Sequence, residues 1–442
     1  MSKDKKSESF VSIKSFIAAL VIIGCLMIAS YVATLAIHCN GIPFWKWILS
    51  PVLVLGSEDM VTLLAVILFL LIIGGVFNAL TGCGVMRYMI DKIAYKYGAH
   101  KYRLMAVIIL FFMALGSLIG SFEEVVPMVP VVVALAVRFG WDPLTGVAMS
   151  LLSVGCGFAA GVFNPFTIGI AQEMAGLPMF SGAWFRAIGF VLIYCLLFLF
   201  IRHHAKKIDK GESETAGETF AADPRKDKGV AAFAAIMLLG IIIVLSSALI
   251  TVLRDYTFVI VSVMFLIAGI TSSLLSGMRG KDLGTSFVKG LVSMLPAVLM
   301  ILMASSIKYT LQTAGALEVV IQAAIGLASR LPQWLVIIFI YLFVLVLNFV
   351  IASGSAKAVM LTPILVTLAE PFGISAQLVC VAYAFGDGFS NAFYPTNPAL
   401  LISLGLADIS YSDWFKYSGK FQLLNLVLTS LLLLLGLALK LT

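Results

Sequence analysis

Two acids in an otherwise apolar run, Glu123 and Glu124, follow the small-residue string Gly116-Ser117-Leu118-Ile119-Gly120-Ser121-Phe122. A lysine stands in the same setting further on, in Ile351-Ala352-Ser353-Gly354-Ser355-Ala356-Lys357. Small residues let a backbone approach a ligand closely and offer it N–H groups, while the charges supply ion pairing. An ionisable side chain at membrane depth costs about 2.5–3.5 kcal/mol on insertion scales, which favours a functional reason for keeping it. An offset of 233 residues places Glu124 on Lys357. The expectation is that two hairpin tips meet near the membrane midplane, where Glu124 and Lys357 form or exchange an ion pair around a substrate. The competing reading has these charges snorkelling to an interface from short hairpins.

Two further segments join Pro to polar residues: Phe163-Asn164-Pro165-Phe166-Thr167 and Tyr394-Pro395-Thr396-Asn397-Pro398. Proline removes a donor and clashes with the preceding turn, so carbonyls are freed, and Asn and Thr add groups able to bind an ion or a solute. Upstream of the second break, Asp387 and Asn391 lie in Phe385-Gly386-Asp387-Gly388-Phe389-Ser390-Asn391. The expected substrate contacts are therefore Ser121, Glu123, Glu124, Asn164, Thr167, Ser353, Ser355, Lys357, Asn391, Thr396 and Asn397. A coupling ion, Na+ or H+, is expected at Glu124, Asp387, Asn164 or Asn397. Glu123, Glu124 and Asp387 against Lys357 leave two net negative charges, which attract a cation or zwitterion and repel a dianion unless cations accompany it. Protonation of a buried carboxyl would change that balance.

Other features are bland. Six cysteines without CxxC spacing read as small core residues, and four histidines form no ligand set. Neither HExxH, Walker A nor GxSxG occurs, and Ser305-Ser306-Ile307-Lys308 is an SxxK with nothing around it, so no enzyme activity, cofactor or metal is expected. Trp184-Phe185-Arg186 and Trp414-Phe415-Lys416 read as interfacial anchors. Gln172 and Glu173 are expected to face a vestibule.

The elements that carry these residues are membrane helices. Of 442 residues 61% are hydrophobic and 12% charged, against roughly a quarter charged in soluble domains. Apolar runs long enough to span occupy 16–37, 60–82, 185–201, 230–252, 258–276, 291–312 and 421–439. The 233-residue offset also superposes Pro130 on Pro363, Phe139-Gly140 on Phe372-Gly373, Gly155 on Gly388 and Asn164-Pro165 on Asn397-Pro398, so one unit is used twice. Most of the 29 Lys and Arg fall to one side if residues 104–139 enter and leave the membrane on the cytoplasmic face. The predicted fold is an all-α polytopic membrane protein with two inverted repeats, about nine spans and two re-entrant hairpins, its N-terminus in the cytoplasm. The first repeat (1–202) holds hairpin 104–139 and broken helix 143–177. A cytoplasmic linker (203–228) follows, and 229–442 holds a linking span, hairpin 334–372 and broken helix 376–407.

At Glu123-Glu124, the run Asn164 to Gln172, Ser353 to Lys357 and Phe385 to Phe389, the chain resembles the family of anaerobic four-carbon dicarboxylate carriers and arginine/ornithine exchangers, in particular its YfcC-like branch. More distantly it is similar to the ion transporter superfamily. The resemblance implies scaffold and transport domains, an elevator-type cycle and a homodimer. At the second break Pro395-Thr396-Asn397-Pro398 replaces the Pro-Thr-Ser-Gly of that branch. The expected function is secondary transport of a small solute across the cytoplasmic (inner) membrane, by exchange of a basic amino acid such as arginine or ornithine. Na+- or H+-coupled transport of a four-carbon dicarboxylate is the alternative, and a channel a more remote one. The partners expected are the solute and the lipid bilayer, with no nucleic acid.

Overall fold

The computed structural model describes residues 13–37, 41–57, 60–118, 120, 122–209, 221–247, 257–328, 330–351 and 353–441. Among them every regular element is helical. Besides short helices at Phe44–Ile48 and Ser50–Leu53, they are in chain order α1 (Ile13–Ala36), α2 (Met60–Gly82), α3 (Val85–Tyr97), α4 (Lys101–Leu118) and α5 (Val129–Arg138). The first broken helix is α6, running Pro143–Val147, a π turn at Ala148–Leu152 and Ser153–Ala160, then a second π turn at Pro165–Gly169 and α7 (Ile170–Met174). The chain continues through α8 (Ala183–Ile208), α9 (Pro224–Ser247), α10 (Thr257–Leu275), α11 (Gly280–Ser293), α12 (Leu295–Thr313), α13 (Ala316–Ala328), α14 (Gln333–Asn348) and α15 (Gly354–Ala369). The second broken helix is α16 (Ala376–Gly388) and α17 (Pro398–Leu406), and α18 (Tyr411–Ala438) closes the chain.

Among the described residues seven helical segments are long and apolar enough to cross a membrane, and the molecule is a multi-pass membrane protein. Pro143–Met174 is 94% enclosed by the rest of the chain, while the others are 33–56% enclosed. Irregular backbone is tolerated at membrane depth only where protein or a wet cavity covers it, so the first broken helix has the surroundings it needs.

Matching local devices set the ends of the two broken helices. Asp142 caps α6 by accepting from Thr145 N at 2.9 Å, and Ser375, 233 residues later, caps α16 by accepting from Leu378 N at 3.2 Å. The turns before them use Gly140 and Gly373 at φ 81° and 66°, a region where a β-carbon is disfavoured. The broken helices cross each other where side chains are smallest. A β-carbon on Gly155 would lie 3.2 Å from Ala392 Cβ, and one on Gly388 would lie 2.2 Å from Ala159 Cα. Gly155 stands to Gly388 as Ala159 stands to Ala392 in the 233-residue offset, so the crossing makes the same contact twice.

Packing sorts the helices into two groups. Helices α4–α8 and α14–α18 pack around the two broken helices, whereas α2, α9, α10 and α11 pack on one another, as do α1 and α12. Between the groups lies an almost wholly apolar cavity of about 370 Å³, lined by Phe77, Met86, Phe112, Val131, Met237 and Met264 among others.

Within the expected linker 203–228, α8 runs to Ile208 and α9 begins at Pro224, while 210–220 lie outside the described residues. The flanks are tied down, with Lys101 2.8 Å from Asp209, His204 2.8 Å from Asp142 and Lys92 2.5 Å from Asp227. Cys25 and Cys195 are exposed on span surfaces rather than in the core, while Cys156 and Cys380 are buried as expected. Cys39 lies outside the described residues.

Candidate functional site

Lys357 is fully buried, one turn into α15, and its ammonium is surrounded by oxygens from three segments. Asp387 Oδ1 from α16 lies at 2.5 Å, the carbonyl of Ile351 at the hairpin tip accepts at 2.9 Å, and Asn348 Oδ1 at the end of α14 accepts as well. The Asn348 amide is fixed in this orientation because its Nδ2 donates to Asp387 O (2.9 Å), Ser390 Oγ (2.7 Å) and Asn391 Oδ1 (3.0 Å). Asn391 Nδ2 donates in turn to Asp387 O at 3.0 Å, and Asn397 Nδ2 to Asn391 Oδ1 at 3.3 Å. Taking a charge from water costs several kcal/mol per ion unless a partner and further hydrogen bonds replace it; Lys357 has both, whereas the carboxylate of Asp387 has the ion pair alone. The expected partner of Lys357 was Glu124, whose side chain lies outside the described residues; the acid beside Lys357 among the described residues is Asp387, because α15 packs directly on α16.

Each break is capped by its Asn. Asn164 Oδ1 accepts from the amides of Phe166 (2.9 Å) and Thr167 (3.3 Å), and Asn397 Oδ1 from those of Ala399 (2.9 Å) and Leu400 (3.4 Å). The proline after each Asn occupies the first helical position, where its missing donor costs nothing. Asn164 Nδ2, Thr167 Oγ1 and Thr396 Oγ1 are buried without a hydrogen-bond partner. Buried polar atoms left this way cost about 1–3 kcal/mol each, so they are groups with capacity for a ligand.

The turn between α14 and α15 reaches both breaks. Ser355 Oγ donates to Phe166 O at 2.9 Å, and a β-carbon on Gly354 would lie 2.5 Å from Asp387 Oδ2 and 2.9 Å from Thr167 Cγ2. Tyr383 Oη donates to Gly354 O at 2.5 Å, fixing the tip. Ser353 is exposed and caps α15 through Ala356 N at 3.4 Å. Between α4 and α5, the short helical turn Glu123–Met128 packs against α17 of the other half. Gly120, at φ 75°, leaves no room for a β-carbon beside Asn164 Oδ1. Ser121 lies outside the described residues, as does the side chain of Glu124.

The freed carbonyls of the first break are held by Arg186, which is fully buried rather than interfacial. It donates to Gly161 O (2.9 Å), Val162 O (3.0 Å), Ser181 O (2.7 Å) and Phe180 O (3.3 Å). Trp184 beside it is exposed, as an anchor should be. At the second break Trp414 is buried, donating to Ala392 O at 2.8 Å, with Tyr411 donating to Phe393 O at 3.0 Å. Gln172 faces no vestibule: it donates to Ser181 O at 2.8 Å and Gln377 Oε1 at 3.1 Å and accepts from Phe180 N at 2.6 Å. Glu173 is exposed. Asn348 and Arg186 were not among the expected site residues. A lone Asn at the end of an apolar helix and an Arg inside a span each carry a sequence signal, the cost of burying them.

A family model described as "DcuC: C4-dicarboxylate anaerobic carrier" matches residues 14–438. A protein of Escherichia coli (strain K12) named "Putative basic amino acid antiporter YfcC" is 27% identical over 396 residues, 84% of this chain and 76% of that protein. Among solved structures, the YdaH transporter of Alcanivorax borkumensis aligns over 97% of this chain and 99% of its own at 17% identity and a TM-score of 0.48. MtrF of Neisseria gonorrhoeae, whose structure report speaks of a class of antimetabolite efflux pumps, covers 95% and 94% at 15% identity and a TM-score of 0.46.

Proposed function

The chain belongs to the C4-dicarboxylate anaerobic carrier family of membrane transporters, and from that premise we propose that it is a secondary active exchanger of basic amino acids in the cytoplasmic membrane. The observation that carries this reading is the composition of the buried junction. Lys357 and Asp387 neutralise each other, so Glu123 and Glu124 of the first tip set the sign that a solute meets. Two carboxylates favour a substrate with one or two ammonium or guanidinium groups, and the name of the Escherichia coli relative points the same way.

The working site is the set Ser121, Glu123, Glu124, Asn164, Thr167, Ser353, Ser355, Lys357, Asn391, Thr396 and Asn397, with Asp387. The atoms Asn164 Nδ2, Thr167 Oγ1 and Thr396 Oγ1 are donors awaiting a carboxylate such as that of an α-amino acid. The two repeats are read as inverted, with the N-terminus in the cytoplasm and the helices around the breaks moving against the rest as an elevator. The apolar cavity between the groups supports that motion, because displacement there breaks no hydrogen bonds. The carrier is read as a homodimer.

A second reading, transport of a four-carbon dicarboxylate with Na+ or H+, is favoured by the family description. Thermal stabilisation of the purified protein by a panel of amino acids and dicarboxylates, followed by exchange in proteoliposomes, separates the two. Stabilisation and counterflow with arginine or ornithine support the first; a response to dicarboxylates alone replaces it with the second. Glu124→Ala with normal transport would sink the site assignment.

A further inference from the structure

The geometry points to a carrier that needs no sodium because the ammonium of Lys357 fills the cage that a coupling Na+ would otherwise occupy. This rests on the proposed transport reading and concerns its coupling ion. Hard monovalent cations are held by oxygen ligands, and at broken membrane helices those are carbonyls, amide oxygens and carboxylates. The three groups around Nζ are one of each: the Ile351 carbonyl, the Asn348 amide oxygen and the Asp387 carboxylate. They come from three separate segments, the tip, α14 and α16, so the cage closes only when these segments meet.

The surroundings are arranged for a single positive charge. Asn348 has its donors spent on Asp387 O, Ser390 and Asn391, leaving its oxygen turned inward. The backbone of Gly354 passes Asp387 Oδ2 with no space for a β-carbon. Lys357 and Asp387 side chains are both fully buried, so water does not screen the pair. A tethered cation satisfies the cage permanently, whereas a bound Na+ has to arrive and leave. Removing the ammonium leaves an oxygen-lined hole with one uncompensated carboxylate, a site of the charge and chemistry that Na+ takes.

The test measures thermal unfolding of the full-length protein in detergent while NaCl replaces choline chloride at constant ionic strength. The wild type should show no Na+-specific shift. Lys357→Ala should gain a saturable stabilisation of about 5 °C or more, and Lys357→Ala/Asp387→Asn should lose that response because the carboxylate is gone. A saturable Na+ shift in the wild type overturns the proposal. So does a Lys357→Ala protein indifferent to Na+, or one that cannot be recovered even at high NaCl, since the filled cage should restore it. Uptake by wild-type proteoliposomes distinguishes the two levels. Absence of solute transport with the expected Na+ pattern removes the transport reading alone, while transport that stops in choline removes this inference alone.

Discussion

The two helix breaks share a backbone plan and differ in how a buried cation is used. Both have an Asn accepting from the second and third amides beyond it, a proline next in sequence and a capped helix start 22 residues before that Asn. In the first half the cation is Arg186, engaged by four main-chain carbonyls and no acid. In the second it is Lys357, engaged by an acid and two neutral oxygens, while neutral donors, Trp414 and Tyr411, cover the carbonyls. A guanidinium spreads five donors in a rigid fork and suits a splice across several carbonyls; an ammonium is a point charge on a flexible stem and suits a compact cage of three oxygens. The first break therefore spends its cation on the backbone, and the second on an acid and two neutral oxygens.

Replacing the first of these cations should have the largest effect. Arg186→Ala leaves the carbonyls of Gly161, Val162 and Phe180 unpaired at about 1–3 kcal/mol each, Ser181 O keeping its bonds from Gln172 and Gln377, so monodisperse protein on size-exclusion chromatography should nearly disappear; Trp414→Phe, which strips one carbonyl of its donor, should cost about a third as much. Equal yields of the two variants would end the distinction. Gly388→Ala drives a methyl group into the Ala159 backbone, and overpacking of this kind costs about 1–3 kcal/mol or more. A normal unfolding temperature there would mean the broken helices do not cross as described.

The caps allow a finer comparison. Asn164→Ala and Asn397→Ala each lose a cap worth about 0.5–2 kcal/mol, yet Asn397 Nδ2 also serves Asn391 whereas Asn164 Nδ2 serves nothing. Asn397→Ala should thus be the less stable, and Asn164→Ala should lose substrate-induced stabilisation beyond its small stability cost. The smallest effect belongs to the helix starts. Burial opposes ionisation of Asp142, just ahead of the first broken helix, but hydrogen bonds from His204 and Thr145 overcome it and hold the carboxyl below its ordinary value. That stability is present above the unfolded value near 4 and lost as pH falls through the lower folded one. Asp142→Asn should flatten this acid limb of the stability curve, and Ser375→Ala should leave it unchanged.

Much of the plan was legible in the residues. The Pro and Gly positions, the Asn-Pro pairs and the apolar runs carry local rules, and their elements appear close to where those rules put them. The pairing of Lys357 with Asp387 was less legible, because offset matching relates equivalent positions in the two units and says nothing of contacts within one of them. The same limit hid Arg186 and Trp414, whose Trp-Phe-base setting is the pattern of an interface anchor. Which turn of a helix meets a freed carbonyl depends on packing between segments far apart in sequence.

The crossing of the broken helices has a consequence for how such a chain could arise. Gly155 on Ala392 and Gly388 on Ala159 are one contact made in both directions, the arrangement that defines an isologous interface between identical subunits. A polypeptide containing a single unit would carry both sides of that contact and could pair with a copy of itself. The present chain holds both sides of that contact within one polypeptide, with an arginine at the first break and a lysine at the second.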